Sequence, residues 1–146
     1  MAKEANPSKP GALSPQPILN PKRQPGEPPS FSHPAEEAFA RVLDFYETQW
    51  EYEPMTFPLE WDREGRVTNA FSPDFYLVEE DLYIELTTMK QSLVTKKNRK
   101  LRLLRKLYPG VKCKLVYRRD VENMAVKFGL FDDLRPSEDE DEDQDS

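Results

Sequence analysis

The sequence predicts an α/β domain, a mixed four-stranded sheet flanked by helices, and three observations carry that expectation. Two stretches, 34–49 and 92–108, place apolar residues at helical spacing. Between them lie short alternating apolar runs bounded by proline, glycine and acidic turn residues. One more apolar run follows the second helical stretch. Short loops join the first three runs into an antiparallel meander. The fourth, reached through a long helix, adds in parallel by a right-handed crossover.

The first helix starts at Ser32-His33-Pro34, a capping hydroxyl followed by a proline whose missing N–H is no loss in the first turn. Glu36 and Glu37 follow at the positive end of the helix dipole. Phe39, Val42, Leu43 and Tyr46 make the buried stripe, and the helix is expected to end near Gln49, ahead of Pro54. Tyr52 to Trp61 alternates loosely around Pro54 and Pro58, which marks an edge strand. Asp62-Arg63-Glu64-Gly65-Arg66 turns the chain into a second strand, Ala70 to Val78, interrupted at Pro73. Glu79-Glu80-Asp81 is the next turn. In the third strand Leu82, Ile84 and Leu86 share one face, and Tyr83, Glu85 and Thr87 the other. The second helix, Ser92 to Tyr108, turns Val94, Leu101, Leu104 and Leu107 or Tyr108 inward, and Pro109-Gly110 stops it. Val111 to Tyr117 is the fourth strand. Asp120 caps a short last helix through Lys127, after which Phe128, Leu130 and Phe131 are expected to cover an end of the core.

Residues 31–136 have the composition of one folded unit. Residues 1–30 hold eight of the fourteen prolines and no aromatic side chain, too little apolar surface to offset the entropy of ordering. Residues 137–146 carry seven acids and form a self-repelling, disordered tail. The net charge of −6 conceals a segregation along the chain. Residues 31–88 carry three basic and fourteen acidic residues, whereas 89–119 carry twelve basic residues and no acid. Such a cationic block is an electrostatic footprint for polyanions. The acidic tail is expected to compete for that block as an internal polyanion mimic.

Several classes are argued against. Cys113 is alone, which excludes a disulfide framework and a cysteine-based zinc site and makes it a small core residue. No apolar run is long enough to cross a membrane, and the N-terminus lacks the apolar region of a signal peptide, so a cytoplasmic setting is expected. The lone histidine, His33, reads as a helix-start residue, which argues against His-based hydrolases and most transition-metal sites. A Gly-rich phosphate loop, a G-x-S-x-G element and a Cys–His pairing are all missing.

Asp74 and Glu85 stand eleven residues apart across a tight turn. Adjacent antiparallel strands place both carboxylates on one sheet face, within reach of a single Mg²⁺ or Mn²⁺. Hard cations take oxygen ligands and keep waters, so two carboxylates and a substrate phosphate suffice. Such an ion lowers the pKa of a bound water and neutralises charge building on a phosphodiester. In a sheet covered on both faces an unpaired Glu85 is costly, so the pair reads as functional rather than as a solvated strand face.

The order helix, three strands, helix, strand, with a helix-borne glutamate, Pro73-Asp74 and Glu85-x-x, resembles the PD-(D/E)XK nuclease superfamily over about residues 32–118. Restriction endonucleases, archaeal Holliday junction resolvases and transposon-end nucleases belong to it. The resemblance implies an αβββαβ core of restriction-endonuclease-like type in a nuclease-like domain, 31–136. It implies a divalent-metal-dependent DNA endonuclease, with Mg²⁺ or Mn²⁺ as cofactor and nucleic acid, DNA foremost, as partner. Asp74 and Glu85 would be the metal ligands, and Glu36, or its neighbour Glu37, the first-helix acid.

One position departs from the family pattern. The family's lysine falls two residues after the second acid, and here that residue is Thr87. Either the lysine has migrated, to Lys90 or to Lys96, Lys97 or Lys100 on the next helix, or the site is degenerate. In the second case the domain is a nucleic-acid-binding module or adaptor on the same fold. Lys90 and Lys97 are carried forward as the catalytic candidates. Lys96, Lys97, Arg99 and Lys100 are the expected nucleic-acid contacts in either case. A chain this small is expected to need a second copy, or a fused or partner domain, to grip its substrate.

Overall fold

The computed structural model describes residues 15–21 and 29–127. Its elements in chain order are β1 (Ile18–Leu19), α1 (Pro34–Phe45), β2 (Trp50–Tyr52), β3 (Met55–Trp61), β4 (Val67–Phe71), β5 (Phe75–Leu77), β6 (Leu82–Thr87), α2 (Gln91–Leu107), β7 (Cys113–Tyr117) and α3 (Arg118–Lys127). The architecture is mixed α/β with two sheets. A four-stranded sheet runs β2-β5-β6-β7, antiparallel through β6 and parallel between β6 and β7. A second, antiparallel sheet runs β1-β3-β4. No helix among the described residues is long and apolar enough to cross a membrane.

The second sheet is a correction to the expected single sheet, and two prolines explain it. Glu53, with φ 45°, and Pro54 separate β2 from β3, while Ser72-Pro73-Asp74 separates β4 from β5. The two breaks face each other, for the Glu53 amide donates to the Asp74 carbonyl at 2.8 Å. A long hairpin therefore bends at one level in both arms, and its two halves serve different sheets. Proline has no ladder donor, which makes such a bend inexpensive there. The edge strand expected over Tyr52–Trp61 is thus two strands. β2 lies at an edge, but β3 is central between β1 and β4.

Residues 15–21 fall inside the stretch read as a disordered tail, yet Ile18 and Leu19 pair with Thr56 and Met55. The Asn20 amide group donates to the Glu53 carbonyl at 2.9 Å, and its carbonyl oxygen accepts from the Thr56 hydroxyl at 2.8 Å. This much of the segment belongs to the fold. Phe128, Leu130 and Phe131 and the acidic segment 137–146 lie outside the described residues.

The helix ends also differ from expectation. His33 rather than Ser32 is the N-cap of α1, and its Nδ1 accepts from the Ala35 amide at 3.0 Å. α1 stops at Phe45 instead of near Gln49. Glu47 takes φ 58°, and the Thr48 and Glu47 amides close back on the Leu43 and Asp44 carbonyls at 2.8 and 2.9 Å. This is a Schellman end built without glycine. Tyr46, expected in the buried stripe, is 57% exposed as a result. Asp120 lies in the first turn of α3 rather than at its cap, because β7 runs into α3 without a linker.

Two apolar clusters cover the two faces of the four-stranded sheet. Phe75, Leu77, Ile84 and Leu86 pack with Val42 and Leu43 of α1 and Val121 and Ala125 of α3. Tyr83 packs on the other face with Phe57 and Phe71 of the second sheet and Leu101, Leu104 and Tyr108 at α2. The alternation read from Leu82 to Thr87 is the cause: odd positions face the second cluster, and Glu85 and Thr87 follow Tyr83 to that side.

Candidate functional site

Asp74 sits in the bend just before β5, not on a strand as expected, because Pro73 ends the pairing there. β5 pairs with β6 so that Phe75 faces Ile84 and Tyr76 faces Tyr83. One further step of that register sets Asp74 opposite Glu85. The Asp74 amide donates to Glu85 Oε1 at 3.2 Å, and the Leu86 amide donates to Asp74 Oδ2 at 2.8 Å. Each carboxylate is therefore aimed by backbone from the other's strand. Both are buried, at 9% and 8% exposure.

Lys97, in the second turn of α2, reaches back to this pair. Its Nζ lies 3.0 Å from Glu85 Oε2 and donates to the Leu86 carbonyl at 2.7 Å. Burial pushes the Glu85 carboxyl up, and the Lys97 ammonium opposes that. Burial pushes the Asp74 carboxyl up as well, and the charge on Glu85 adds to it. The two carboxyls titrate as one system. Lys97 touches Glu85 and favours the charged form of both carboxyls.

Glu36, on α1, is a further buried acid. It is 5% exposed, while Glu37 faces solvent and pairs with Arg41 at 2.8 Å. Glu36 Oε1 accepts from the Ser32 amide at 2.9 Å and from the Tyr52 hydroxyl at 2.7 Å. Its charge reaches both partners and raises each of them. Glu36 thus acts on the pair through its charge alone, whereas Lys97 touches it. The donor atoms are hard oxygens: the two carboxylates and the Leu86 carbonyl. Hard oxygens of this kind are the donors that Mg²⁺ or Mn²⁺ takes. Among the described residues no three Asp, Glu, His or Cys side chains are grouped as a ready cage, so substrate and water oxygens would have to supply the remaining ligands.

The other candidates are distributed differently. Lys90 is half-buried and serves as the N-cap of α2 through its backbone, its amide donating to Thr88 Oγ1 at 3.2 Å. Lys96 is exposed. Lys100 donates from Nζ to the Ala70 carbonyl at 2.9 Å. Lys97 and Lys100, both expected to contact nucleic acid, thus commit their ammonium groups to interior acceptors. Arg99 stays on the surface, 3.3 Å from Glu60. With Arg102, Leu103, Arg105 and Lys106 it lines an open depression on the outer face of α2. Thr87 has no exposure, and its hydroxyl has no hydrogen-bond partner among the described residues.

Two contributors, Leu86 and Tyr52, are not legible as site residues in the sequence. The Leu86 carbonyl and amide carry no side-chain signal. Tyr52 holds Glu36, and the available hint was that a buried tyrosine needs a partner for its hydroxyl. Arg102, Arg105 and Lys106 were visible as charges, but their face of α2 was not distinguished from that of Lys97 and Lys100. Comparison with known proteins found no family model, no curated protein and no solved structure that matches the chain.

Proposed function

We propose that the chain is a divalent-metal-dependent phosphodiesterase acting on nucleic acid, DNA foremost, in the cytoplasm. The observation that carries this reading is the buried Asp74–Glu85 pair, with Lys97 as the opposing cation. The order α1, β2, β5, β6, α2, β7 supports a core of the restriction-endonuclease-like type. Asp74, Glu85 and the Leu86 carbonyl would hold Mg²⁺ or Mn²⁺. When bound, the ion lowers the pKa of a water and neutralises charge building on the phosphodiester. The chain's own residues prepare for this. Mutual backbone hydrogen bonds fix both carboxylates before any ligand arrives, which avoids reorganisation. Both carboxyls would have to be ionised to hold the ion, since ligating carboxylates are deprotonated. Lys97 brings beside the pair the positive charge that Thr87 lacks. Arg99, Arg102, Arg105 and Lys106 offer the surface on which a phosphate backbone would lie. A second copy or a partner domain would complete the grip.

The test is cleavage of a panel of DNA and RNA substrates with Mn²⁺, comparing the full chain with Asp74→Ala and Glu85→Ala. Cleavage by the wild type and its loss by at least about a hundredfold in both variants is the expected result. Equal activity in all three removes the reading. Thr87 favours a second reading, a nucleic-acid-binding module without catalysis, because that position supplies neither charge nor an engaged hydroxyl. Salt-sensitive binding without cleavage in any metal decides for it.

A further inference from the structure

We infer that the Lys97 ammonium occupies the cation position of the site, so that Lys97 and a divalent ion are alternative occupants of the same oxygens. This rests on the reading of Asp74 and Glu85 as cation ligands. Lys97 Nζ touches two oxygens of β6 at once, Glu85 Oε2 at 3.0 Å and the Leu86 carbonyl at 2.7 Å. An ammonium has three donors and no acceptor, so this pocket of oxygens replaces part of its hydration shell. The same oxygens, one anionic and one carbonyl, are what a hard divalent ion requires. A Mg²⁺ would approach them to about 2.1 Å, inside the contact distance of the ammonium. Two cations that close, in a site where Glu85 is 8% exposed, repel strongly. One has to leave, and the lysine can. Its four-carbon stem is flexible, and 20% of its side chain is already exposed.

Two states follow. In the first, Lys97 neutralises Glu85 and the site is stable without metal. In the second, the ion holds Glu85 and Asp74, and the ammonium is released toward solvent. A phosphate there would be an acceptor for the released ammonium, so metal and polyanion would each favour the binding of the other.

The experiment measures Mn²⁺ binding to the full chain by calorimetry, for wild type, Lys97→Met, Lys97→Gln and Lys100→Met. Removing the competing ammonium is expected to tighten Mn²⁺ by about tenfold or more in both Lys97 variants. Lys100, whose Nζ holds the Ala70 carbonyl, controls for the loss of one nearby charge, and Lys100→Met is expected to change affinity less than about twofold. A second measurement needs no variant: acetylation of wild-type Lys97 by an amine reagent, read by mass spectrometry, is expected to accelerate severalfold when Mn²⁺ is added. Unchanged Mn²⁺ affinity in the Lys97 variants, equal tightening in Lys100→Met, or Lys97 acetylation indifferent to bound Mn²⁺ each overturns the exchange while leaving the metal site in place. Absence of Mn²⁺ binding in wild type and all variants overturns the cation-ligand reading together with it.

Discussion

Asp74 titrates together with Glu85. Its ordinary value of 3.8 is raised to about 8, first by burial and then by the charge on Glu85. Between those values the folded chain holds a proton that the unfolded chain has released. The stability this contributes is complete below the unfolded value and is lost as pH rises through the folded one. The metal-free chain is therefore expected to unfold at lower urea concentration at about pH 9 than at about pH 6. Asp74→Asn keeps an oxygen for the Leu86 amide but has no proton to lose. It is expected to flatten the urea midpoint against pH and to exceed wild type at about pH 9 by on the order of 1 kcal/mol. A wild-type midpoint that rises with pH in chelator contradicts this assignment. Thr87, beyond Glu85 on the same face, makes the opposite point. Its buried hydroxyl is unpaired, so a group of the same shape without it removes only a desolvation cost. Thr87→Val is expected to be neutral or stabilising by up to about 1 kcal/mol in urea unfolding. A loss of more than that would mean that the hydroxyl has a partner.

α1 is joined to the four-stranded sheet by polar as well as apolar contacts. Tyr52 on β2 donates to Glu36, in the first turn of the helix, and the same carboxylate oxygen accepts from the Ser32 amide. Tyr52→Phe removes one donor from a buried carboxylate and keeps the ring against Phe31 and Phe75. Thermal unfolding is expected to show a loss of about 1–2 kcal/mol, the usual penalty for a buried acceptor that loses a partner. An unchanged midpoint would mean that Glu36 finds another donor. Which elements were legible follows from where their information lies. β6 and α2 showed clean periods of two and 3.6, and both appear within a residue or two of their expected bounds. The crossover from α2 to a parallel β7 followed from connection length alone. The division of Tyr52–Trp61 into β2 and β3 was not legible. Pro54 was visible, but the facing break at Pro73 is a relation between two segments that no local pattern records. The αL end at Glu47 was hidden for a simpler reason, since nothing about a glutamate advertises positive φ.

α2 divides its cations between two tasks. The acids of the candidate site were legible because a carboxylate inside an apolar strand is conspicuous, and Lys97 was among four lysines that spacing allowed. What spacing could not supply was helix rotation. That rotation sends Lys97 and Lys100 inward to Glu85 and the Ala70 carbonyl, and leaves Arg99, Arg102, Arg105 and Lys106 outward. The same cations that looked equivalent in sequence should therefore behave differently toward a polyanion. Each phosphate neutralised contributes about 0.9 to the log–log dependence of binding on salt. Replacing Arg102 and Arg105 together with alanine is expected to weaken duplex DNA binding and to lower that slope by about 2. Lys100→Ala is expected to leave the slope unchanged, because its ammonium is already engaged by the Ala70 carbonyl. Glu85→Gln removes a negative charge but leaves the Lys97 ammonium on the Leu86 carbonyl, so binding should tighten slightly with the slope unchanged. Fluorescence anisotropy across a salt series measures all three. Equal slopes for the arginine double variant and wild type would move the polyanion surface off α2, whatever the chemistry at Asp74 and Glu85.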